Sequence, residues 1–365
     1  QSIWKLLIQT GSILIVLIAI TVRSIEFVLY VRLTKKLQNY LFLVSNILLP
    51  VGSNIVDWPI CLYRLYISGS TTKEMTLIPK WNFLFMAALD STGLLLSTLA
   101  TSVLSGPLNV SISSTIIGFH MLSSFVFIGS RYNSLHVGGL LIILLAVGVQ
   151  VFTMFELTSS IAYAAKPHMI LWISILLLSH VPISISNLYK YKIMRETNVD
   201  LFYMNAMTSL FQLPISLLMF PIIFIPLPYP ISNTHSFPDY LSSSFQCLFD
   251  DGLLLSDPCE GTLTVYLIML FNNCIYGFAT VIMLKCNIHG SQSNTIRSLF
   301  SSLLFLSKKV AGESRVNGFS ALDIESLIIL CSGVFVYHTT TEAEAQESLV
   351  QWFRSFFKQK EEDNV

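Results

Sequence analysis

From Leu201 to Pro238 the chain carries no Asp, Glu, Lys or Arg, and between Trp81 and Phe155 it carries only Asp90 and Arg131. Uncharged apolar stretches of this length constrain the fold more than any other feature. A bilayer-spanning helix takes roughly 20 mostly apolar residues, and it satisfies its own backbone where no water can. Composition agrees: 53% of the 365 residues are hydrophobic and 12% are charged, about half the charged share of a soluble domain. The pattern predicts ten spans, near residues 3–27, 40–67, 81–104, 108–129, 135–156, 168–189, 201–226, 262–284, 291–307 and 320–338. The expected fold is an all-α integral membrane protein whose ten transmembrane helices form two five-helix inverted repeats, an arrangement common among secondary transporters.

This count divides the chain into a first half, 1–160, and a second half, 161–340, with a long loop at 227–261. Residues 341–365 form a charged tail in which Trp352, Phe353, Phe356 and Phe357 can share one apolar helix face, suited to a bilayer surface. An even number of spans puts both termini on one side. That side carries nine basic residues in short loops and near helix ends, against seven opposite, a thin margin for the cytosol. The 227–261 loop adds weight, because it holds five acids with Cys247 and Cys259, and disulfides persist in oxidising or lumenal compartments. Pairing those cysteines would close a loop worth about 3 kcal/mol in the chain-entropy model; two free thiols are the alternative. The chain opens on Gln1, so residues before it are expected, and no signal-peptide cleavage site is visible.

Several functions are disfavoured by the residues present. Formal net charge is zero, with no basic face for nucleic acid. The six cysteines include no CxxC pair, so neither a metal site nor another cofactor is expected. The seven histidines are scattered, and one aspartate alone is read as deep, which argues against a membrane enzyme. Ten spans with short loops leave little surface for a receptor. A secondary carrier for a small molecule remains, expected to be a monomer in lipid.

Asp90 is the first candidate for a substrate or proton site, since an ionisable group inside a span marks function or a partner. The bland alternative is a structural carboxylate bonded to Ser91 or Thr92. Arg297, in a short serine-rich ninth span, can receive a substrate carboxylate or counter Asp90; snorkelling to an interface is its alternative. His120, mid-span, titrates in the physiological range, or simply packs. Arg23 and Glu26 lie three apart on one face, as a gate or as headgroup neighbours. Asn109 and the serines at 111, 113 and 114 crowd the start of the fourth span, for binding or for close packing. Zwitterions offer both charges to such a site, whereas a nucleotide sugar would want several deep basic residues.

Four stretches carry a family likeness: ALDSTGLLLS (88–97), RYNSLHVGG (131–139), VPISISNLYKYKI (181–193) and LFYMNAMTSLFQLPISLLMFPI (201–222). Through them the chain resembles the chloroquine resistance transporter family of the drug/metabolite transporter superfamily, over most of 20–285 and again at 320–337. The resemblance implies a ten-helix carrier in the membrane of an acidic vacuole, a lysosome-like organelle or a plastid. It also implies substrates among amino acids, short peptides, thiols and cationic drugs, with export to the cytosol alongside protons. RSIEF (23–27) matches the part of the first helix where drug-resistance changes occur, and Phe27 stands near a family lysine. Asp90 matches a family aspartate, Asn109 a glutamine, His120 an asparagine and Arg297 a glutamine. Departures are Gly118 for a proline, and Ser298 and Leu299 for a glycine–proline pair. The family loop implies at most one bridge here, since this loop has two cysteines.

Overall fold

The computed structural model describes residues 2–66, 77–130, 132–159, 166–197, 199–219, 237–249, 259–285 and 321–338, with Met75 and Pro221. These residues form helices throughout. In chain order they are α1 (Ser2–Lys36), α2 (Gln38–Tyr66), α3 (Lys80–Val103), α4 (Gly106–Ser113), α5 (Ile116–Ile128), α6 (Ser134–Ser159), α7 (Lys166–Thr197), α8 (Leu201–Leu218), α9 (Phe237–Phe249), α10 (Thr262–Lys285) and α11 (Ala321–His338). Nine of the ten expected spans fall on them, with α4 and α5 together making the fourth. The expected ninth span, 291–307, and the tail, 341–365, lie outside the described residues.

Among the described residues, five spans are long and apolar enough to cross a membrane by length and composition: Gln38–Tyr66, Lys80–Val103, Gly106–Phe127, Ser134–Thr153 and Met169–Met194. Thr262–Gly277 and Ile324–Tyr337 are shorter apolar helices. The exterior is oily: Phe125, Val126 and Phe127 on α5, Leu141, Leu145 and Phe152 on α6, and Phe335 on α11 are all exposed. Patches of this kind on a soluble monomer would be an aggregation hazard, whereas lipid accepts them. The chain therefore has an all-α multi-pass membrane fold.

Local chemistry explains where the helices change direction. Ser105 is extended and Pro107 follows in the first turn of α4, where the missing N–H costs nothing. Ser114 Oγ then bonds Val110 O and Thr115 Oγ1 bonds Ile112 O at 3.0 and 2.7 Å, and the span is interrupted between α4 and α5 at these back-bonding hydroxyls. Gly129 closes α5 in the left-handed conformation at φ 71°. α2 contains a π-helical turn at Val44–Leu48. α8 runs unbroken through Pro214 over Leu201–Leu218.

The principal packing pairs are α11 on α6, α3 on α7, α1 on α10 and α2 on α8. Numbering the spans one to ten, with 291–307 as the ninth, these are 10–5, 3–6, 1–8 and 2–7. Advancing every span by five turns 1–8 into 6–3 and returns 2–7 and 5–10 to themselves, the pattern of a repeat architecture.

One end of the bundle carries α9. Tyr240 on α9 packs edge-on against Tyr40 at 5.6 Å and Phe42 at 6.5 Å between ring centroids, and Phe42 N–H donates to its hydroxyl at 3.1 Å. Burial raises the pKa of that hydroxyl, so it stays protonated and neutral. Cys247 and Cys259 are disulfide-bonded, with Cα atoms 5.2 Å apart, which fastens α9 to the start of α10. Lys36 Nζ, in the last turn of α1, donates to Glu260 O at the same end.

Candidate functional site

Ionisable side chains from α1, α2, α3 and α7 converge well inside the bundle. Asp90 on α3 is paired with Lys190 on α7, Nζ to Oδ2 2.5 Å, with both side chains mostly buried. Its sequence neighbours are occupied elsewhere: Ser91 Oγ accepts from Ser216 at 3.3 Å, and Thr92 Oγ1 donates to Ala88 O. The carboxylate is thus held by charge from the facing helix rather than by local hydroxyls.

Arg23 and Glu26 form the second pair, with Nη1 donating to both carboxylate oxygens at 2.6 and 2.5 Å. The guanidinium also lies over the Tyr276 ring of α10, 4.6 Å from its centroid, a cation–π contact that strengthens as water is excluded. Asp57 on α2 completes the group. It is half-buried and feels the charges of both Arg23 and Lys190. Among the described residues the five charges comprise two cations and three carboxylates.

The other candidates occupy different places. His120 on α5 faces α7, where Asn187 Nδ2 approaches its Nε2 at 3.5 Å. His180, about two helix turns earlier, approaches Thr115 with its Nδ1 at 3.5 Å. Asn109 is fully buried and takes a 3.3 Å hydrogen bond from Thr101 Oγ1, while its Nδ2 has no partner among the described residues. It sits against α3, next to Val110, which packs on Val28 and Val31 of α1. Arg297 lies outside the described residues.

Two members of the charged group, Asp57 and Lys190, are not among the candidates drawn from the sequence. Asp57 had the same signal as Asp90. It and Arg64 are the only charged residues from Gln38 to Thr72. Lys190 was placed near a helix end, because the expected span stopped at 189, but α7 continues to Thr197. At the end opposite α9, Arg64 pairs with Asp200 across α2 and α8, and its guanidinium lies 5.6 Å from the Phe202 ring centroid.

A family model described as chloroquine-resistance transporter-like matches residues 12–337. The chain belongs to this CRT-like family. Its members are transporters of the drug/metabolite transporter superfamily rather than enzymes. "Crt homolog 1" of Dictyostelium discoideum is 26% identical over 360 residues, covering 90% of this chain and 74% of that protein. "Protein CLT1, chloroplastic" of Arabidopsis thaliana is 25% identical, covering 79% and 65%. "Chloroquine resistance transporter" of Toxoplasma gondii is 26% identical, covering 77% and 33%. In this CRT-like protein the charged group ties distant spans together. Its Asp90–Lys190 bond joins the third and sixth spans, and its Arg23–Tyr276 contact joins the first and eighth, which are the same pair under the five-span shift.

Proposed function

We propose that this CRT-like protein is a secondary carrier of small zwitterionic solutes, namely amino acids, short peptides or thiols, driven by protons out of an acidic organelle into the cytosol. The observation that carries the reading is the Asp90–Lys190 pair: opposite charges set deep in the bundle on two helices. A solute with an ammonium and a carboxylate can replace each residue's partner without leaving a buried charge unpaired, which would otherwise be costly.

α3 and α7 fall in the two proposed halves, 1–160 and 161–340, which would be inverted repeats. Alternating access then means that the halves rock, the mouths open in turn, and the pair loosens to receive the solute. A dianionic nucleotide sugar suits the site less well, since each deep cation already has a carboxylate. The Cys247–Cys259 bridge supports placing α9 on the lumenal side, with the termini and the 341–365 tail cytosolic. The organelle is proposed as a vacuole or lysosome-like compartment, with the "chloroplastic" relatives favouring a plastid as the other home.

The test is uptake by purified protein in vesicles, using labelled amino acids, glutathione, dipeptides, chloroquine and a nucleotide sugar, with and without an acidic exterior that drives protons inward. Transport of at least one zwitterion, faster with the gradient, is expected. Transport of nucleotide sugars alone, or of nothing in the panel, would overturn the reading.

A further inference from the structure

We propose that the end of the carrier opposite α9 is gated by a methionine–aromatic plug between the two halves, latched by the Arg64–Asp200 pair. The inference rests on the carrier reading above and adds the gate that alternating access requires. Phe83 and Met86 on α3 belong to one proposed half, Ile193 on α7 and Met204 on α8 to the other, and all four are buried in one cluster. Met86 lies one turn before Asp90 on α3, and Ile193 one turn after Lys190 on α7. The plug therefore covers the Asp90–Lys190 pair on the side away from α9. A solute leaving that pair for this end has to part it.

The composition of the plug suits a surface that opens and recloses. Five of the chain's eleven methionines are in it, with Met75, Met194 and Met207 joining the two already named. An unbranched thioether side chain adapts to a changed neighbour at low cost. Directional ties then fix the closed arrangement. The Tyr189 hydroxyl of α7 donates to Asn82 Oδ1 of α3 at 3.0 Å, and the Phe83 and Tyr203 rings meet edge-on, 6.0 Å between centroids. Arg64 of α2 pairs with Asp200 at the start of α8. Each of these ties joins one proposed half to the other, at the same end. Asp200 Oδ1 is held by its cap bond from Phe202 N–H, which keeps the other carboxylate oxygen on Arg64. The Arg64 side chain is 24% exposed, so water can take over its pairing at small cost. Packed interfaces switch between discrete arrangements rather than deform smoothly, and a water-reaching latch over an adaptable plug provides such a switch.

The experiment ties the halves together across the plug. Phe83→Cys and Tyr203→Cys are introduced together, with Cys61, Cys274, Cys286 and Cys331 replaced by serine and the Cys247–Cys259 bridge kept. A bifunctional methanethiosulfonate links the new pair, and reductant releases it; unlinked protein given the same reductant is the reference. The probes are labelled leucine, lysine, glutathione and glycylsarcosine in vesicles. Linked protein should transport at about a tenth of the unlinked rate or less, as for a lid held shut, and recover on release, while each single variant treated alike is unaffected. Unchanged transport by linked protein, or a loss that release does not restore, overturns the proposal. If wild type carries no probe, the substrate reading fails and the gate is judged without it, as it is if the cysteine variant does not fold. Cys61 is buried one turn before Arg64 on α2. N-ethylmaleimide should then label it about five-fold faster in Arg64→Met/Asp200→Asn than in wild type, the shift expected from losing a partly exposed pair. Cys331 on α11 should label at the wild-type rate, and peptide mass spectrometry separates the two. Asp200→Asn alone, which keeps the α8 cap, serves if the double variant does not fold. Equal labelling of Cys61 in variant and wild type, or equal acceleration at Cys331, overturns the gate.

Discussion

Lys190 Nζ lies 2.5 Å from Asp90 Oδ2, so the third and sixth spans are bridged by a charge pair well inside the bundle. Removing one partner leaves the other charge stranded at a cost of about 3–5 kcal/mol when burial is complete. With side chains 15% and 18% exposed, the lower end applies. Lys190→Met and Asp90→Asn should each lower the unfolding temperature in detergent, and the double variant should recover most of that loss. None of the three should transport. Single variants as stable as the double would show that the pair is already open to water, and normal uptake by Asp90→Asn would remove Asp90 from the site.

At the opposite end from α9, Asp200 has two tasks. Its Oδ1 accepts from Phe202 N–H at 2.8 Å, capping α8, and its other oxygen pairs with Arg64. An N-cap is worth about 0.5–2 kcal/mol, and asparagine caps as well as aspartate. Asp200→Asn should therefore keep the cap and lose only the ion pair, while Asp200→Ala should lose both. Thermal unfolding should rank wild type above Asn above Ala. Equal losses would mean that the cap contributes nothing measurable here.

The bridge between Cys247 and Cys259 closes a 12-residue separation, for which the chain-entropy model gives about 3 kcal/mol. Reduction, or Cys247→Ser, should loosen α9 from the Tyr40–Phe42–Tyr240 cluster rather than unfold the bundle. Hydrogen exchange should rise in 237–249 and at the start of α10, and leave α6 and α7 unchanged. Exchange rising equally across the bundle would mean that the bridge holds the whole fold and not its cap.

The spans were legible because apolar length is a coarse signal that packing does not alter. α3, α6 and α10 fall within a few residues of their expected bounds. The site was legible only in part. Asp90, Arg23 and Glu26 stand out as charges in oily surroundings, and the structure brings all three to the charged group. Asp57 offered an equal signal but lay between a π-helical turn and Pro59 within α2, with nothing in sequence to say which face looks inward. Lys190 was hidden by the length of α7, because a hydropathy window ends at a charge while a helix does not. Partner identity depends on contacts between residues about a hundred positions apart, which no local pattern encodes.

The α6–α11 contact shows the same limit and offers a sharp test. RYNSLHVGG places Gly138 and Gly139 side by side, yet only one of them is needed for packing. A Cβ at Gly139 would stand 2.7 Å from Tyr337 N and 2.9 Å from Gly333 O, both backbone atoms that cannot rotate away. One at Gly333 would meet Gly139 O at 3.0 Å, whereas one at Gly138 would meet nothing within 4 Å. Small residues let membrane helices approach closely, and that approach is most of what holds them together. Gly139→Ala and Gly333→Ala should each destabilise by about 1–3 kcal/mol, the usual range for overpacking, and Gly138→Ala should stay within about 0.5 kcal/mol of wild type. Detergent unfolding of the three purified variants reads the difference. Equal behaviour of Gly138→Ala and Gly139→Ala would mean that the two helices do not meet backbone to backbone, and the fifth and tenth spans would lose the contact that makes them a pair.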